Sequence, residues 1–339
     1  MSDPTDLPEG TGAVSPRRRR WRGVLIALLI VAALVATGGI IVGRYMHSLD
    51  SAYQKRTTVS LDKGSSDGDR KAGGSGQNIL LLGSDKRSAQ DAGSEGVSGQ
   101  RSDAMMLVHI PADGGEAYIV SFPRDLYIDI PGHGKDRINS ALAYGGLPLA
   151  VTTVENYTKT PIDHVALIDF DGIEGLVDSL GGVDVNVPES FERGGTTFTA
   201  GTQHLNGKEA LTFSRERKHL SGGDFARNQN QQQLLKAVAM KLISGDTLSS
   251  PGKMRDTVTA LSPYLTTDDG LTSQAIVKLG LSNRNLRGSD LHFLAAPHGD
   301  PATTSGGASV VASDEKGMDA LRTALKEDNM EEYAKQIAD

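Results

Sequence analysis

Arg215, Arg217 and Arg227 gather within Leu211 to Gln233, LTFSRERKHLSGGDFARNQNQQQ, in a chain whose formal net charge is −7. A guanidinium is a planar fork that donates two parallel hydrogen bonds to a phosphate or carboxylate, and it stays charged at any physiological pH. Three of them concentrated in an acidic chain point to a bound anion, a phosphate or pyrophosphate. If Thr212 to Arg217 is extended, Arg215 and Arg217 lie two apart, face one side and reach the same anion. Asp224 then caps the helix that follows and puts Arg227 and Gln231 at i and i+4 on one of its faces. The competing use of these residues is a solvated basic face paired with Glu209 and Glu216.

Three other segments put polar groups at strand ends. The apolar strand Asn78 to Leu82 is followed by Gly83-Ser84-Asp85-Lys86-Arg87, and open α/β sheets bind ligands at such carboxyl ends; Gly-Ser-Asp alone also reads as an ordinary turn. Arg101-Ser102-Asp103 leads into the strand Ala104 to Ile110. Two acids at neighbouring strand ends, Asp85 and Asp103, suit Mg2+, which takes one or two carboxylates and fills its shell with phosphate oxygens and water. A salt bridge from Asp103 to an arginine is the alternative. Ser121-Phe122-Pro123-Arg124-Asp125 stops a strand at a proline, which cannot continue a central ladder, so Arg124 sits at the same sheet edge with Asp125 beside it. Asp136, Arg137, Asn139 and Tyr144 follow as further polar candidates, and His109 reads as a packed or surface residue of its strand.

These groups need a scaffold, and strand and helix signals alternate to supply one. Ala117 to Ser121, His164 to Asp169, Val183 to Val187 and Leu291 to Ala296 add strands, mostly apolar runs of the kind buried on both faces. Helical patterns cover Ile138 to Tyr144, Leu147 to Tyr157, Gly172 to Leu180, Phe225 to Ile243, Gly252 to Leu261, Leu271 to Gly280 and Glu315 to Lys326. The expectation is a layered α-β-α domain over residues 77–339 with a mixed central sheet, no internal repeat and no second core. Its acidic end, Glu327-Asp328, Glu331-Glu332 and Asp339, is expected to be solvated, with no accessory C-terminal domain.

Val24 to Gly43 is an uncharged run of twenty residues preceded by Arg17 to Arg20 and Arg22. As a helix it spans about 30 Å, the hydrocarbon thickness of a bilayer, and is too long for the apolar core of a cleaved signal peptide. The positive-inside rule assigns residues 1–23 to the cytoplasm, makes 24–43 a transmembrane helix, and puts the rest on the extracytoplasmic side of the cell membrane as a single-pass protein. Residues 44–76, rich in Ser, Gly, Asp and Lys, read as a flexible stalk. Residues 1–46 carry +3, which leaves −10 for the remainder, a poor surface for nucleic acid. Cysteine is absent from all 339 residues, which excludes disulfides, thiolate nucleophiles and Cys-ligated metals.

In order, NILLLGSDKR (78–87), RSDAMMLVHI (101–110), SFPRD (121–125), KDRINSALAYGG (135–146), IDHVALIDFDGIEGLVDSLGGVDVNVP (162–188) and GTQHLNGKEALTFSRERK with GGDFARNQNQQ (201–232) resemble the LytR-CpsA-Psr family of cell-wall glycopolymer ligases. The resemblance implies a phosphotransferase that moves a glycopolymer from a polyprenyl-pyrophosphate carrier to peptidoglycan, outside the cell. It implies that Asp85 and Asp103 are Mg2+-associated acids, that Arg87, Arg101, Arg124, Arg215, Arg217 and Arg227 bind phosphate with Gln231 nearby, and that one acid deprotonates the acceptor hydroxyl. It also implies an apolar tunnel for the lipid, for which Leu149, Val151, Val154, Ile168, Ile173 and Leu176 are candidates. Asn228-Gln229-Asn230 departs from the family where a basic residue is usual. The same residues would serve a lipid-pyrophosphate binder or pyrophosphatase without ligase activity, and a membrane-anchored transcriptional attenuator is a further alternative.

Overall fold

The computed structural model describes residues 43–61, 76–84, 102–169, 172–216, 219–221, 224–242, 251–283 and 285–338. The chain divides into two units, Met1–Ser48 and Leu49–Asp339. Of the first, only residues 43–48 are described, and they are helical. All but the last residue of the apolar run 24–43 lies outside the described residues, and among those described no helix is long and apolar enough to cross a membrane.

The second unit is built on a seven-stranded mixed sheet. Its strands are β1 (Thr57–Val59), β2 (Gln77–Ser84), β3 (Ser102–Ile110), β4 (Ala117–Phe122), β7 (His164–Asp169), β12 (Leu265–Asp268) and β13 (Leu291–Ala295), in the order β1-β12-β7-β2-β3-β4-β13. β2-β3, β3-β4 and β12-β7 are antiparallel, while β2-β7, β4-β13 and β1-β12 are parallel. Runs such as Ile79-Leu80-Leu81-Leu82 are continuously apolar because successive side chains go to opposite faces and both faces are covered.

One face carries Leu80, Leu82, Met105, Leu107, Val120, Phe122, Val165 and Leu167 against α1 (Ser140–Thr158) and the C-terminal helices α7 (Glu315–Glu327) and α8 (Met330–Ala338). The other presents Leu81, Ala166 and Ile168 to Tyr53, Val258 and Ile276. A further cluster unites Ile173, Leu176, Val185, Phe198, Phe213 and Leu234, and Leu261 packs against both this cluster and the Tyr53 group. A single core was therefore the wrong expectation. The second cluster is made by elements off the central sheet: β8 (Val183–Val187) pairs with β11 (Gly201–Leu205), and β9 (Phe191–Arg193) with β10 (Thr196–Phe198). Phe191 stacks on Phe198 with ring centroids 4.5 Å apart, and α2 (Ile173–Ser179), α3 (Gly207–Ser214), α4 (Asp224–Leu242) and α5 (Pro251–Leu261) close around them.

The proposed tunnel residues divide between these layers. Val151 and Val154, with Leu149 against them, belong to the α1 face, whereas Ile173 and Leu176 belong to the off-sheet cluster and Ile168 to the Tyr53 group. They thus fall in three separate buried clusters, two on the faces of the sheet and one off it.

Part of the expected stalk is folded. Leu49, Ala52 and Tyr53 are buried, the Tyr53 hydroxyl donates to Leu271 O at 2.8 Å, and Ser273 Oγ donates to Asp50 Oδ1 at 2.7 Å. β1 then joins the sheet beside β12, with Arg56 Nε donating to Thr267 Oγ1 at 2.9 Å. Composition hid this, since only Leu49, Tyr53 and a short strand carry the packing. Residues 62–75 lie outside those described. At the other end Asp328 is not solvated: it accepts from Ala112 N at 3.1 Å and meets buried His109 at 2.8 Å.

Candidate functional site

Strand register brings several expected residues to one edge of the sheet. Ser84, the last residue of β2, pairs with Ser102 at the start of β3 and with Asp169 at the end of β7. The β2-β3 register shifts between Gly83 and Ser84, the kind of bulge that re-aims side chains next to sites. Ser102 Oγ donates to Ala104 O at 2.5 Å, and the backbone of Asp103 follows it in β3. Asp85, Arg87, Arg101 and Arg217 lie outside the described residues, as does the Asp103 side chain. Asp169 was not singled out from sequence, although its signal was readable: it ends a strand parallel to β2 at the ligand-binding end.

β4 stops at Phe122, and Leu126 N donates to Pro123 O at 3.0 Å to close the turn that carries Arg124. Asp125 orients Arg124 as expected, with Oδ2 3.3 Å from Nε, and its other oxygen lies 3.7 Å from Arg137 Nη1. Arg137 arrives on a hairpin of β5 (Tyr127–Ile130) and β6 (Gly134–Arg137). Asn139 N then donates to Arg124 O at 3.2 Å, so hairpin, turn and the start of α1 are tied together. Burial raises the Asp136 carboxyl, but hydrogen bonds from Tyr144, Arg137 N–H and Ser140 outweigh it and hold the group below its ordinary range.

The arginine stretch is folded differently from the extended form expected. Asn206 and Glu209 make a reciprocal capping box, and Gly207–Ser214 is helix α3, with Arg215 as its C-cap in the right-handed region. The N-cap pair and the buried Ala210 and Phe213 one turn apart override the alternation of Thr212, Ser214 and Glu216. Glu209 therefore serves the cap. Glu216 is buried, 1% exposed, meets Arg193 Nη1 at 3.2 Å and His219 Nδ1 at 3.1 Å, and Arg193 Nη1 also donates to the Arg215 carbonyl at 2.6 Å. Of the two acids expected to pair a basic face, Glu209 is thus in the cap and Glu216 is buried beside Arg193 and His219, while Arg217 lies outside the described residues.

In α4, Arg227 is half-buried and Gln231 is buried. Asn230, in the segment that departs from the family pattern, is buried and its Nδ2 donates to Phe213 O at 3.3 Å. That bond latches α4 to α3, and so couples Arg227 and Gln231 to Arg215. α4 also packs against β3 and β8. Gln231 Oε1, Asn139 Oδ1 and Arg137 Nε are buried without a hydrogen-bond partner. Such atoms are rare in folded proteins: an anion can accept from the Arg137 Nε–H, while the two amide oxygens call for a donor such as a ligand hydroxyl.

Among the described residues no group of three or more His, Asp or Glu is arranged to hold a metal ion. Asp103 lies on β3 at this edge, and its side chain, like the whole of Asp85, is outside the described residues.

Residues 42–327 match the family model described as the LytR_cpsA_psr family. The chain belongs to that family. It is 33% identical over 270 residues to the polyisoprenyl-teichoic acid–peptidoglycan teichoic acid transferase TagU of Enterococcus faecalis (strain ATCC 700802 / V583), covering 78% of this chain and 82% of that protein. It is 40% identical over 191 residues to the protein of the same name from Bacillus mycoides (strain KBAB4), a match spanning 56% of this chain and 59% of that relative. Among solved structures, B. subtilis TagV superposes with a TM-score of 0.63 at 27% identity over 75% of this chain and 97% of that one. TagT bound to LI-WTA superposes with a TM-score of 0.60 at 27% identity, over 80% and 99% of the two chains.

Proposed function

We propose that this family member transfers a glycopolymer from a polyprenyl-pyrophosphate carrier to a peptidoglycan hydroxyl, on the outer side of the cell membrane. The observation that carries the reading is the guanidinium set at this edge: Arg124 and Arg137 joined through Asp125, with the buried Arg137 Nε–H left without a partner, and Arg215 and Arg227 on the latched pair α3 and α4. Support also comes from relatives whose names specify a polyisoprenyl-teichoic acid donor and a peptidoglycan acceptor.

In the proposed reaction the acceptor oxygen forms a bond to the phosphorus bearing the polymer, and the phosphoanhydride bond breaks. Polyprenyl phosphate leaves with the electron pair, and the hydroxyl proton passes to a carboxylate. Asp85 and Asp103 would hold Mg2+, which when bound neutralises phosphate charge. Arg124, fixed by Asp125, and Arg215, Arg217 and Arg227 with Gln231 hold the oxygens that remain, and they stabilise charge growing on the leaving phosphate. Arg87 and Arg101 extend the same positive edge. The run 24–43 would anchor the chain with residues 1–23 inside; protease added to intact spheroplasts should then digest the body and spare an N-terminal tag.

The decisive test supplies a lipid-pyrophosphate saccharide and peptidoglycan with Mg2+. Polymer-linked peptidoglycan is expected, and it should fall at least a hundredfold in Arg215→Ala, the size of a lost charge-stabilising donor. Donor hydrolysis with no acceptor product would overturn transfer in favour of a pyrophosphatase.

A further inference from the structure

His133 and Tyr144 stack face to face at the rim of the site, with ring centroids 4.6 Å apart and planes 14° from parallel. Both are exposed, Tyr144 by 47%, which makes it one of the few large apolar side chains left at the surface among the described residues. The pair is held there by construction. His133 N donates to Ile130 O at 2.9 Å across the β5-β6 turn, and Tyr144 closes the first segment of α1, where Gly145 and Gly146 break the helix with Gly146 at φ 65°. The Tyr144 hydroxyl donates to Asp136 Oδ2 at 2.5 Å, and Arg137 N donates to the other oxygen of that carboxylate at 2.7 Å. Next in the chain come Arg137, bridged through Asp125 to Arg124, and Asn139, whose buried Oδ1 has no partner.

We propose that the His133–Tyr144 stack is a saccharide platform, a subsite that receives a pyranose ring next to the phosphate held by Arg124. The inference rests on the pyrophosphate reading above and extends it to the sugar. A pyranose offers an apolar face of axial C–H bonds, weakly positive, to the negative face of an aromatic ring, while its hydroxyls need donors and acceptors around the rim. The platform supplies the ring; Asp136, Arg137 and Asn139 supply the rim. Phosphate alone would not call for an exposed aromatic pair. A glycan that passes from a phosphate ester to a sugar hydroxyl needs a pyranose beside Arg124 on either the donor or the acceptor side.

The test uses the full chain in detergent and a phosphate-free, soluble oligomer of β-1,4-linked N-acetylhexosamines, followed by saturation-transfer NMR. A second arm compares KM for a polyprenyl pyrophosphate carrying a sugar with that for the bare lipid pyrophosphate. Tyr144→Ala is expected to weaken glycan binding about tenfold if the platform takes the acceptor, or to raise KM about tenfold for the glycosylated donor alone if it takes the donor sugar. Tyr144→Phe keeps the ring and should retain most of the affinity, and His133→Ala should give an intermediate loss. Unchanged glycan binding and unchanged KM ratios in Tyr144→Ala, with the melting curve of the parent, would overturn the proposal. Glycan binding by a chain that turns over no lipid pyrophosphate would support the platform while refuting the transferase reading, so the two can fail separately.

Discussion

Glu216 keeps a carboxylate at 1% exposure, a burial that costs several kcal/mol unless the charge is matched. Arg193 and His219 match it, and the same Arg193 guanidinium caps the carbonyl of Arg215. Arg193→Ala is therefore expected to cost about 2 kcal/mol, less than a fully buried pair because Arg193 is itself partly exposed, and to slow transfer by loosening Arg215; urea melts and kcat measured together check both. Arg215→Lys should recover only a small part of the activity lost in Arg215→Ala, because an ammonium offers no bidentate fork. Residue type made Arg124, Arg215, Arg227 and Gln231 legible as candidates for holding an anion, since few other roles suit clustered guanidiniums in an acidic chain. Arg193 and Asn230 were not legible. Their roles come from where β9 and α3 end, and sequence spacing does not carry that.

At the scale of elements, the docked segment that includes Tyr53 and β1 shields the β12 edge, which would otherwise present unpaired backbone groups. Tyr53→Ala should lower stability by about 3 kcal/mol in chemical denaturation, the usual cost of emptying a buried aromatic site. Asp268 ties β12 to β7 and to the turn before α6 (Ser273–Ser282), accepting from Val165 N at 2.9 Å, Leu271 N at 2.9 Å and His164 at 3.1 Å. Burial raises its carboxyl, but those bonds prevail and hold it below the ordinary aspartate range. The native state thus binds that proton less readily than the unfolded chain, so its stabilisation is present above the ordinary aspartate range and drains away as pH falls through the lower folded value. Asp268→Asn should be less stable at neutral pH and show a flatter acid limb in melts taken from pH 6 downward. Long apolar strands and helices were readable from periodicity. The short hairpins were not, because strands such as Gly134–Arg137 have no alternating apolar face, and α3 was misread because its capping box was outweighed by a local alternation.

For the whole molecule, the apolar side chains divide among three buried clusters, two on the sheet faces and one off the sheet. Val154 is fully buried between α1 and the sheet, so Val154→Ala should lower the melting midpoint yet leave the dependence of KM on prenyl chain length unaltered. The same chain-length assay on Leu176→Ala tests the off-sheet cluster as the lipid surface. The contact between His109 and Asp328 bears on where this fold can be cut. The family match stops at residue 327, one position short of Asp328, which closes α7 in the left-handed conformation at φ 56°. A fragment trimmed to the match would strand an interior imidazole whose ring nitrogen had met that carboxylate, and it would discard Met330 and Tyr333 from the packed interior. Expression boundaries drawn from homology alone would thus sever the sheet from the residue that fastens its far end, and soluble yield should return when the fragment runs on through α8.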